Sequence, residues 1–562
     1  MKPTEAYELW LEKLEKDDPM RSELLAIRDN ETEITDRFYQ TISFGTAGLR
    51  GICGAGSNRM NELTVGRATA GIGDYILSSG EDIQRGVVFA YDCRYNSKEF
   101  SELAAQILAA KGIKVYLFPS LRPTPELSYA IRKLGAVSGV NMTASHNPKE
   151  YNGYKVYWKD GAQISGEVSD KMSEKINALD LFSKPEKISL KEAEEKGLLV
   201  WLGESMDKDY LDYVKSMSVL PGEELDKSVP FVYTPLNGAG SIPIKKLFSD
   251  LGYTGFNIVE EQEDPDPEFT TVGYPNPEDT KAFALSEKLG KKVGAEVLIA
   301  TDPDADRMAL EVRDENGEYA ALNGNQTGAL LIAYMAENLK KTGRLKEKSA
   351  LIKSIVTGDM GRAVCEAYGI STFEALTGFK NICGKIPELE KKGYSYFFAY
   401  EESIGSAPGE EVRDKDGITA AMLIAELAAN LRKKGSGILK WLDELYKEYG
   451  YFAESQYSLV LKGEEGSRKI AYIMEEFRNN ATKKFGEFEV EKTVDYISGY
   501  EDIPASNVLK FILKDGSWFA CRPSGTEPKL KFYFYTKKND KKDSEDAITG
   551  LREAVLNFIG KV

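Results

Sequence analysis

The 562-residue chain carries 73 Lys plus Arg against 89 Asp plus Glu, a net charge of −16, with 42% hydrophobic and 29% charged residues. That composition fits a folded globular protein and excludes wholesale disorder, and the negative charge opposes non-specific binding to nucleic acid or to anionic membranes. At roughly 150 residues per domain the length predicts about four domains. Five scattered cysteines without a CxxC pair and a single histidine, His146, exclude a disulfide framework, a zinc ribbon and any zinc site built on two histidines.

The opening MKPTEAYELWLEKLEKDDPM has acidic residues and no apolar core, so it does not read as a signal peptide. Tyr7, Trp10, Leu11 and Leu14 fall at helical spacing and predict an amphipathic helix docked on the body. Next comes GTAGLRG (45–51), a glycine-rich loop with one arginine, Arg50; on its own such a loop is as well explained as a turn. From here short β-branched or aromatic runs alternate with polar loops and helix-like stretches, the α/β pattern of mostly parallel sheets. The runs that precede the most polar loops are 86–92, 229–235, 296–301, 350–358 and 396–401. Ligands of open α/β sheets gather at strand carboxyl ends, so those loops are where chemistry is expected.

The loop Thr143-Ala144-Ser145-His146-Asn147-Pro148 holds a serine in an Asn-Pro turn, where its hydroxyl can accept or donate a phosphoryl group; a plain Asx-type surface turn is the alternative. A hydrolase triad competes poorly, because it needs a histidine within reach of the serine and the next residue along usually points elsewhere. His146 is better placed to contact a serine-bound phosphate or to hold the loop. Lys155, a few residues on, suits a general acid/base if the site lowers its pKa, and is otherwise a surface lysine. After the run 296–301 comes Asp302-Pro303-Asp304-Ala305-Asp306-Arg307. Carboxylates at i, i+2 and i+4 of an extended loop point the same way, so three oxygens can converge on one hard cation. An EF-hand is excluded, since its Gly and Glu positions are Arg307 and Arg313; a solvated acidic turn remains the alternative.

Further on, Thr377-Gly378-Phe379-Lys380 offers a threonine and a lysine. Glu401-Glu402-Ser403-Ile404-Gly405 follows a strand-like run, and its carboxylates and hydroxyl suit vicinal sugar hydroxyls; an acidic helix start is the competing reading. The apolar stretch from Ile418 contains Glu426 and is too short to span a bilayer, which leaves a cytoplasmic location as the default. Beyond about residue 447 the texture becomes antiparallel strands with covering helices, an α+β C-terminal domain, and KKNDKKDSED reads as a solvated charge run. Within it Arg522-Pro523-Ser524-Gly525-Thr526 combines a guanidinium fork, two hydroxyls and a glycine that lets backbone N–H groups face an anion; a hairpin turn is the alternative. Neither a P-loop nor a G-x-G-x-x-G is present. Texture places the boundaries near 205, 325 and 447, giving domains 1–205, 206–325, 326–447 and 448–562.

Taken in order, GTAGLRG, TASHNP, DPDADR, TGFK, EESIG and RPSGTEP resemble the α-D-phosphohexomutase superfamily, from Gly45 to Glu527. The resemblance implies an α/β fold of four domains around a central cleft, three similar and mixed, the fourth a smaller α+β domain. It implies an intramolecular phosphotransferase in which Ser145 is phosphorylated, and Asp302, Asp304 and Asp306 bind Mg²⁺ with the serine phosphate as a further ligand. Arg307 lies beside the three aspartates, and Lys155, Arg50 and His146 would assist proton transfer and charge stabilisation. Arg307, Thr377, Gly378 and Lys380 would bind the substrate, Glu401 and Ser403 would recognise its sugar, and Arg522, Ser524, Gly525 and Thr526 would hold its non-reacting phosphate. The implied partners are small sugar phosphates, with a sugar 1,6-bisphosphate intermediate and the need for a bisphosphate activator left open, as is the oligomeric state. EESIG departs from the Gly-Glu-x-Ser-Gly-His pattern of dual-specificity phosphomannomutase/phosphoglucomutases and, with FGTAGLRG, points to the bacterial phosphoglucomutase and phosphopentomutase branch. Glucose 1-phosphate and glucose 6-phosphate are the favoured pair, with mannose and ribose phosphates as alternatives. From a different class, a phosphoserine-type sugar phosphatase shares the serine chemistry.

Overall fold

In a computed structural model the described residues are 1–560 except 46, 223, 480–482 and 525–527. They divide into two compact units, Met1–Leu322 with Gly405–Lys434, and Asn323–Ile404 with Gly435–Val562.

The first unit opens with helices Pro3–Lys13, Pro19–Ala26 and Glu31–Phe38. The predicted amphipathic face is the one that packs: Tyr7, Trp10 and Leu14 are buried with Leu24, Ile34 and Phe38, and Trp10 meets Phe38 and Phe182 edge-on at 5.7 and 5.5 Å. Strands β1 (Gly48–Ile52), β2 (Val87–Tyr91), β3 (Val115–Leu117), β4 (Ser138–Met142), β5 (Tyr151–Trp158) and β6 (Leu199–Trp201) form a mixed sheet in the order β1-β5-β4-β2-β3-β6. β2 and β4 are buried along their whole length, as strands covered on both faces must be, and they run parallel. Their carboxyl ends therefore emerge side by side, so the loops that begin at Asp92 and Thr143 are neighbours. β5 returns antiparallel to β4 and sets Lys155 opposite Asn141.

A second sheet follows, from β7 (Phe231–Thr234), β8 (Phe256–Ile258), β9 (Val297–Thr301), β10 (Met308–Arg313) and β11 (Tyr319–Leu322), in the order β11-β10-β9-β7-β8. β9 runs parallel to β7 and antiparallel to β10, with Thr301 opposite Met308, so the three aspartates sit on the connection that turns the chain back. The helix Gly417–Lys433 completes this unit and is buried almost throughout. Its one internal acid, Glu426, accepts hydrogen bonds from the Ser218 hydroxyl and from Val219 N at 3.1 Å. Among the described residues no helix is long and apolar enough to cross a membrane.

In the second unit β12 (Ser349–Ser354) lies between β13 (Ser371–Ala375) and β14 (Ser395–Glu401), all parallel. The C-terminal part is an antiparallel sheet of Tyr451–Val460, Lys529–Lys538, Trp518–Pro523, Leu509–Leu513 and Phe488–Asp495, in that order, covered by helices Gly463–Asn479 and Lys541–Ile559 over a Phe-rich core. This is the expected smaller α+β region. The charge run around residue 540 is solvated, yet Asp540 caps the N–H groups of Lys542 and Asp543 and so turns its second half into a helix start. Within this unit Trp518 Nε1 donates to Asp359 at 2.9 Å and Lys510 Nζ to the Ile355 carbonyl at 2.7 Å, tying the two parts together.

Candidate phosphoryl-transfer site

Ser145 has φ 52°, the left-handed region that a non-glycine residue enters at a cost of about 1–2 kcal/mol. Two sets of hydrogen bonds hold it there. Thr143 Oγ1 accepts from Ser145 N at 2.8 Å and donates to Asp92 Oδ2 at 2.6 Å. Buried Arg94 spends its five guanidinium N–H groups on this neighbourhood. Nε donates to Asp92, Nη1 to the carbonyls of Pro148 and Tyr151, and Nη2 to those of Ser145 and Asn147, both at 2.5 Å. The hydroxyl that results is 4% exposed at the residue level and donates to Asp302 Oδ2 at 2.5 Å.

His146 corrects one expectation. Its Nδ1 lies 3.2 Å from Ser145 Oγ, because the left-handed turn brings adjacent side chains to the same side instead of opposite sides. It is still a poor general base: burial, then the charges of Arg307 and Arg50, push its pKa down to about 2. The hydroxyl's single hydrogen is directed to Asp302, so the ring can only donate to that oxygen.

The acidic loop is buried, and Asp302, Asp304 and Asp306 each place a carboxylate oxygen within 4.8 Å of the others. This overturns the solvated-turn alternative. Asp302 Oδ1 accepts from Arg307 N at 3.0 Å, and burial together with Asp304 and Asp306 pushes its carboxyl well above the usual range. Burial also opposes ionisation of Asp304, but Lys155, 2.7 Å from its Oδ2, and the Thr124 hydroxyl hold it low. Lys415 Nζ stands 3.0 Å from Asp306 Oδ2. Two buried oxygens, Asp304 Oδ1 and Asp306 Oδ1, have no hydrogen-bond partner among the described residues. Orphaned carboxylate oxygens converging in a dry site, with an all-oxygen donor set, fit a hard divalent cation such as Mg²⁺.

Lys155 also departs from expectation. Burial works to lower its pKa, but Asp304 and Asp306 outweigh this and raise it, so the lysine is held protonated. Arg50 sits on β1 opposite Gly153, and its charge acts on both His146 and Lys155. Arg307 reaches Glu278 at 3.6 Å and Asp306 at 3.9 Å.

In the second unit Thr377, Gly378, Glu401 and Arg522 come together. Gly378 N donates to Glu401 Oε1 at 2.5 Å, and Arg522 Nη1 donates to the Thr377 hydroxyl. Glu402 turns away from Glu401 and accepts from the hydroxyls of Ser354 and Thr357, each at 3.1 Å. Lys380 opens the helix Phe379–Lys391 and its pKa is lowered by burial; Ser403 follows β14; Ser524 N donates to Lys529 O at 2.7 Å. Gly525 and Thr526 lie outside the described residues.

Sequence reasoning missed Asp92, Arg94, Thr124, Asp414 and Lys415. The Asp-x-Arg following the strand 86–92 was a usable signal, because a strand end is where functional loops begin. Lys415, within RDKD before an apolar helix, carried none. Asp414 anchors it: Oδ1 accepts from Lys415 N and Nζ, while Oδ2 accepts from Tyr157 Oη and Gln163 Nε2.

A left-handed serine bonded to one aspartate of a buried acidic triad, at the carboxyl ends of two α/β sheets, defines the class as an α/β protein with a candidate phosphoryl-transfer site. Models of the phosphoglucomutase/phosphomannomutase family match the chain in four parts. These are α/β/α domain I over residues 41–182, domain II over 208–317, domain III over 323–449 and the C-terminal domain over 478–548. Phosphoglucomutase of Staphylococcus aureus (strain MRSA252) is 34% identical over 537 residues, 93% of this chain and 95% of that protein. That of Staphylococcus haemolyticus is 36% identical over 510 residues, covering 88% and 90%. In fold the chain resembles pp63/parafusin from Paramecium, with a TM-score of 0.70, 20% identity and coverage of 93% and 95%. It also resembles a phosphoglucomutase/phosphomannomutase family protein from Burkholderia thailandensis, with a TM-score of 0.68, 18% identity and coverage of 92% and 96%. The chain belongs to the phosphoglucomutase/phosphomannomutase family.

Proposed function

We propose that the chain is a Mg²⁺-dependent phosphosugar mutase that interconverts glucose 1-phosphate and glucose 6-phosphate through phosphorylated Ser145. The observation that carries the reading is the 2.5 Å hydrogen bond from Ser145 Oγ to Asp302 Oδ2, which supports Ser145 as a nucleophile working beside the acidic triad. Phosphorylation removes the hydrogen that Ser145 donates and so frees Asp302 Oδ2. Asp302, Asp304 and Asp306, with an oxygen of the serine phosphate, would hold the ion. When bound, Mg²⁺ neutralises charge on the transferring phosphoryl oxygens.

The remaining work is positioning. Ser145 gives its phosphoryl group to the free hydroxyl of a sugar monophosphate, forming a sugar bisphosphate. After the bisphosphate turns over, its other phosphoryl group returns to the serine. Protonated Lys155, with Arg50 and Arg307, balances negative charge at the serine, and neutral His146 donates a hydrogen bond there. Thr377, Gly378, Lys380, Glu401 and Ser403 recognise the sugar, and Arg522, Ser524, Gly525 and Thr526 its distal phosphate. We place the four domain boundaries near 205, 325 and 447 and the enzyme in the cytoplasm, since its substrates are anions that a bilayer retains. A sugar 1,6-bisphosphate supplied from outside would prime the serine.

The relatives' name, phosphoglucomutase, favours glucose phosphates. The test supplies glucose 1-phosphate, Mg²⁺ and trace glucose 1,6-bisphosphate and follows glucose 6-phosphate and inorganic phosphate together. Glucose 6-phosphate should appear with the wild-type chain and not with Ser145→Ala. Release of inorganic phosphate without glucose 6-phosphate would establish the phosphatase instead, and kcat/KM on mannose and ribose 1-phosphates ranks the alternatives.

A further inference from the structure

Thr124 stands at the start of the helix Thr124–Leu134, 180 residues from Asp304 in sequence, and no motif marks it. It is fully buried and touches the acidic loop twice: its backbone N–H donates to the Asp304 carbonyl at 2.9 Å, and its Oγ1 lies 2.8 Å from Asp304 Oδ2. Asn141, also buried, donates through Nδ2 to the same Oγ1 at 2.6 Å.

The direction of these bonds follows from chemistry. Asp304 Oδ2 accepts from Lys155 Nζ at 2.7 Å, and the Thr124 hydroxyl donates to the same oxygen. Because that hydroxyl has one hydrogen, its partner on the other side must be a donor, which places the Asn141 amide nitrogen and not its oxygen against it. The relay runs one way, from Asn141 through Thr124 to Asp304. It ends on the oxygen that Lys155 also holds and leaves Asp304 Oδ1, buried and without a hydrogen-bond partner among the described residues, on the other side of the carboxylate.

We propose that Thr124 is a positioning residue for the divalent-ion site: by binding Asp304 Oδ2 it fixes the carboxylate rotation that presents Oδ1 to the ion, and Asn141 fixes the polarity of Thr124. The inference rests on the metal reading above. Groups that orient metal ligands in this way are typically worth 10–100-fold in metal affinity. The ammonium of Lys155 alone does not fix the rotation, since it rests on a flexible stem and is shared with Asp306 at 3.5 Å.

The test is isothermal titration of the metal-stripped full chain with Mg²⁺, comparing wild type with Thr124→Val and Thr124→Ser, together with unfolding midpoints in EDTA. Thr124→Val keeps the shape and removes the hydroxyl, and should raise the Mg²⁺ Kd at least about tenfold. Thr124→Ser should restore affinity to within about threefold, as a hydroxyl of the same reach predicts. The Mg²⁺ concentration for half-maximal activity should shift in parallel, with kcat largely recovered at saturating Mg²⁺, and the midpoint in EDTA should change little. Should Thr124→Val not fold, Asn141→Ala reads the same relay and should also weaken Mg²⁺ binding. A Kd for Thr124→Val or, in its place, Asn141→Ala equal to the wild-type value overturns the proposal. Absence of Mg²⁺ binding by the wild-type chain overturns the metal reading and this inference with it.

Discussion

Arg94 lies 51 residues from Ser145 in sequence, yet its Nη2 donates to the Ser145 carbonyl at 2.5 Å. The same guanidinium binds three other carbonyls of the loop and Asp92, so one rigid planar group determines where Ser145, the proposed nucleophile, sits. Lysine cannot reproduce five directed donors. Arg94→Lys should lower kcat/KM by about 100-fold or more, the scale expected when a reacting group moves by about 1 Å. Steady-state kinetics, with the unfolding midpoint to separate misplacement from unfolding, checks this.

The acidic loop is also held from below. Gly238 packs against Pro303 so closely that an added Cβ would meet Pro303 Cα at 2.4 Å and its carbonyl oxygen at 2.5 Å, and Ala239 N donates to that carbonyl at 2.7 Å. Gly238→Ala should displace the loop and destabilise the protein by about 1–3 kcal/mol, the usual cost of overpacking. Chemical denaturation would measure it, and Mg²⁺ affinity should fall in step.

A divalent ion bound as proposed would compete with Lys415 for the charge of Asp306. Burial disfavours the lysine's charge, but Asp306 and Asp414 raise its pKa above the ordinary value, so it enters the site as a cation. Lys415→Met should lower stability in EDTA by about 3–5 kcal/mol, because a buried carboxylate loses its counter-charge. Removing a positive charge from beside the ion should also enlarge the stabilisation that Mg²⁺ brings. Thermal midpoints of both chains, with EDTA and with saturating Mg²⁺, test the two effects together.

Glu311 predicts a pH effect remote from chemistry. It lies on β10, 2% exposed, with Oε2 lacking a hydrogen-bond partner among the described residues, and burial followed by the charge of Glu287 raises its pKa from 4.5 to about 7. Between those values the folded chain keeps a proton that the unfolded chain has released. Stability from this group is therefore lost as pH rises from about 4.5 to about 7. Glu311→Gln should remove that slope, so the variant gains on the wild type over this window in unfolding midpoints taken across pH.

Much was legible in the linear chain. The i, i+2, i+4 spacing of Asp302, Asp304 and Asp306 and the Asn-Pro turn around Ser145 are local patterns, and so is the amphipathic face of Tyr7, Trp10 and Leu14; each is set by residues within one or two turns of backbone. What the tertiary structure alone decided was everything that joins distant segments. It brought Ser145 Oγ to Asp302, placed His146 within reach of the serine, raised rather than lowered the pKa of Lys155, and recruited Arg94, Thr124 and Lys415, of which only Arg94 carried a usable local signal. The physical reason is that side-chain direction, burial and electrostatic balance depend on what packs across sheets and between loops, and sequence spacing does not encode those distances.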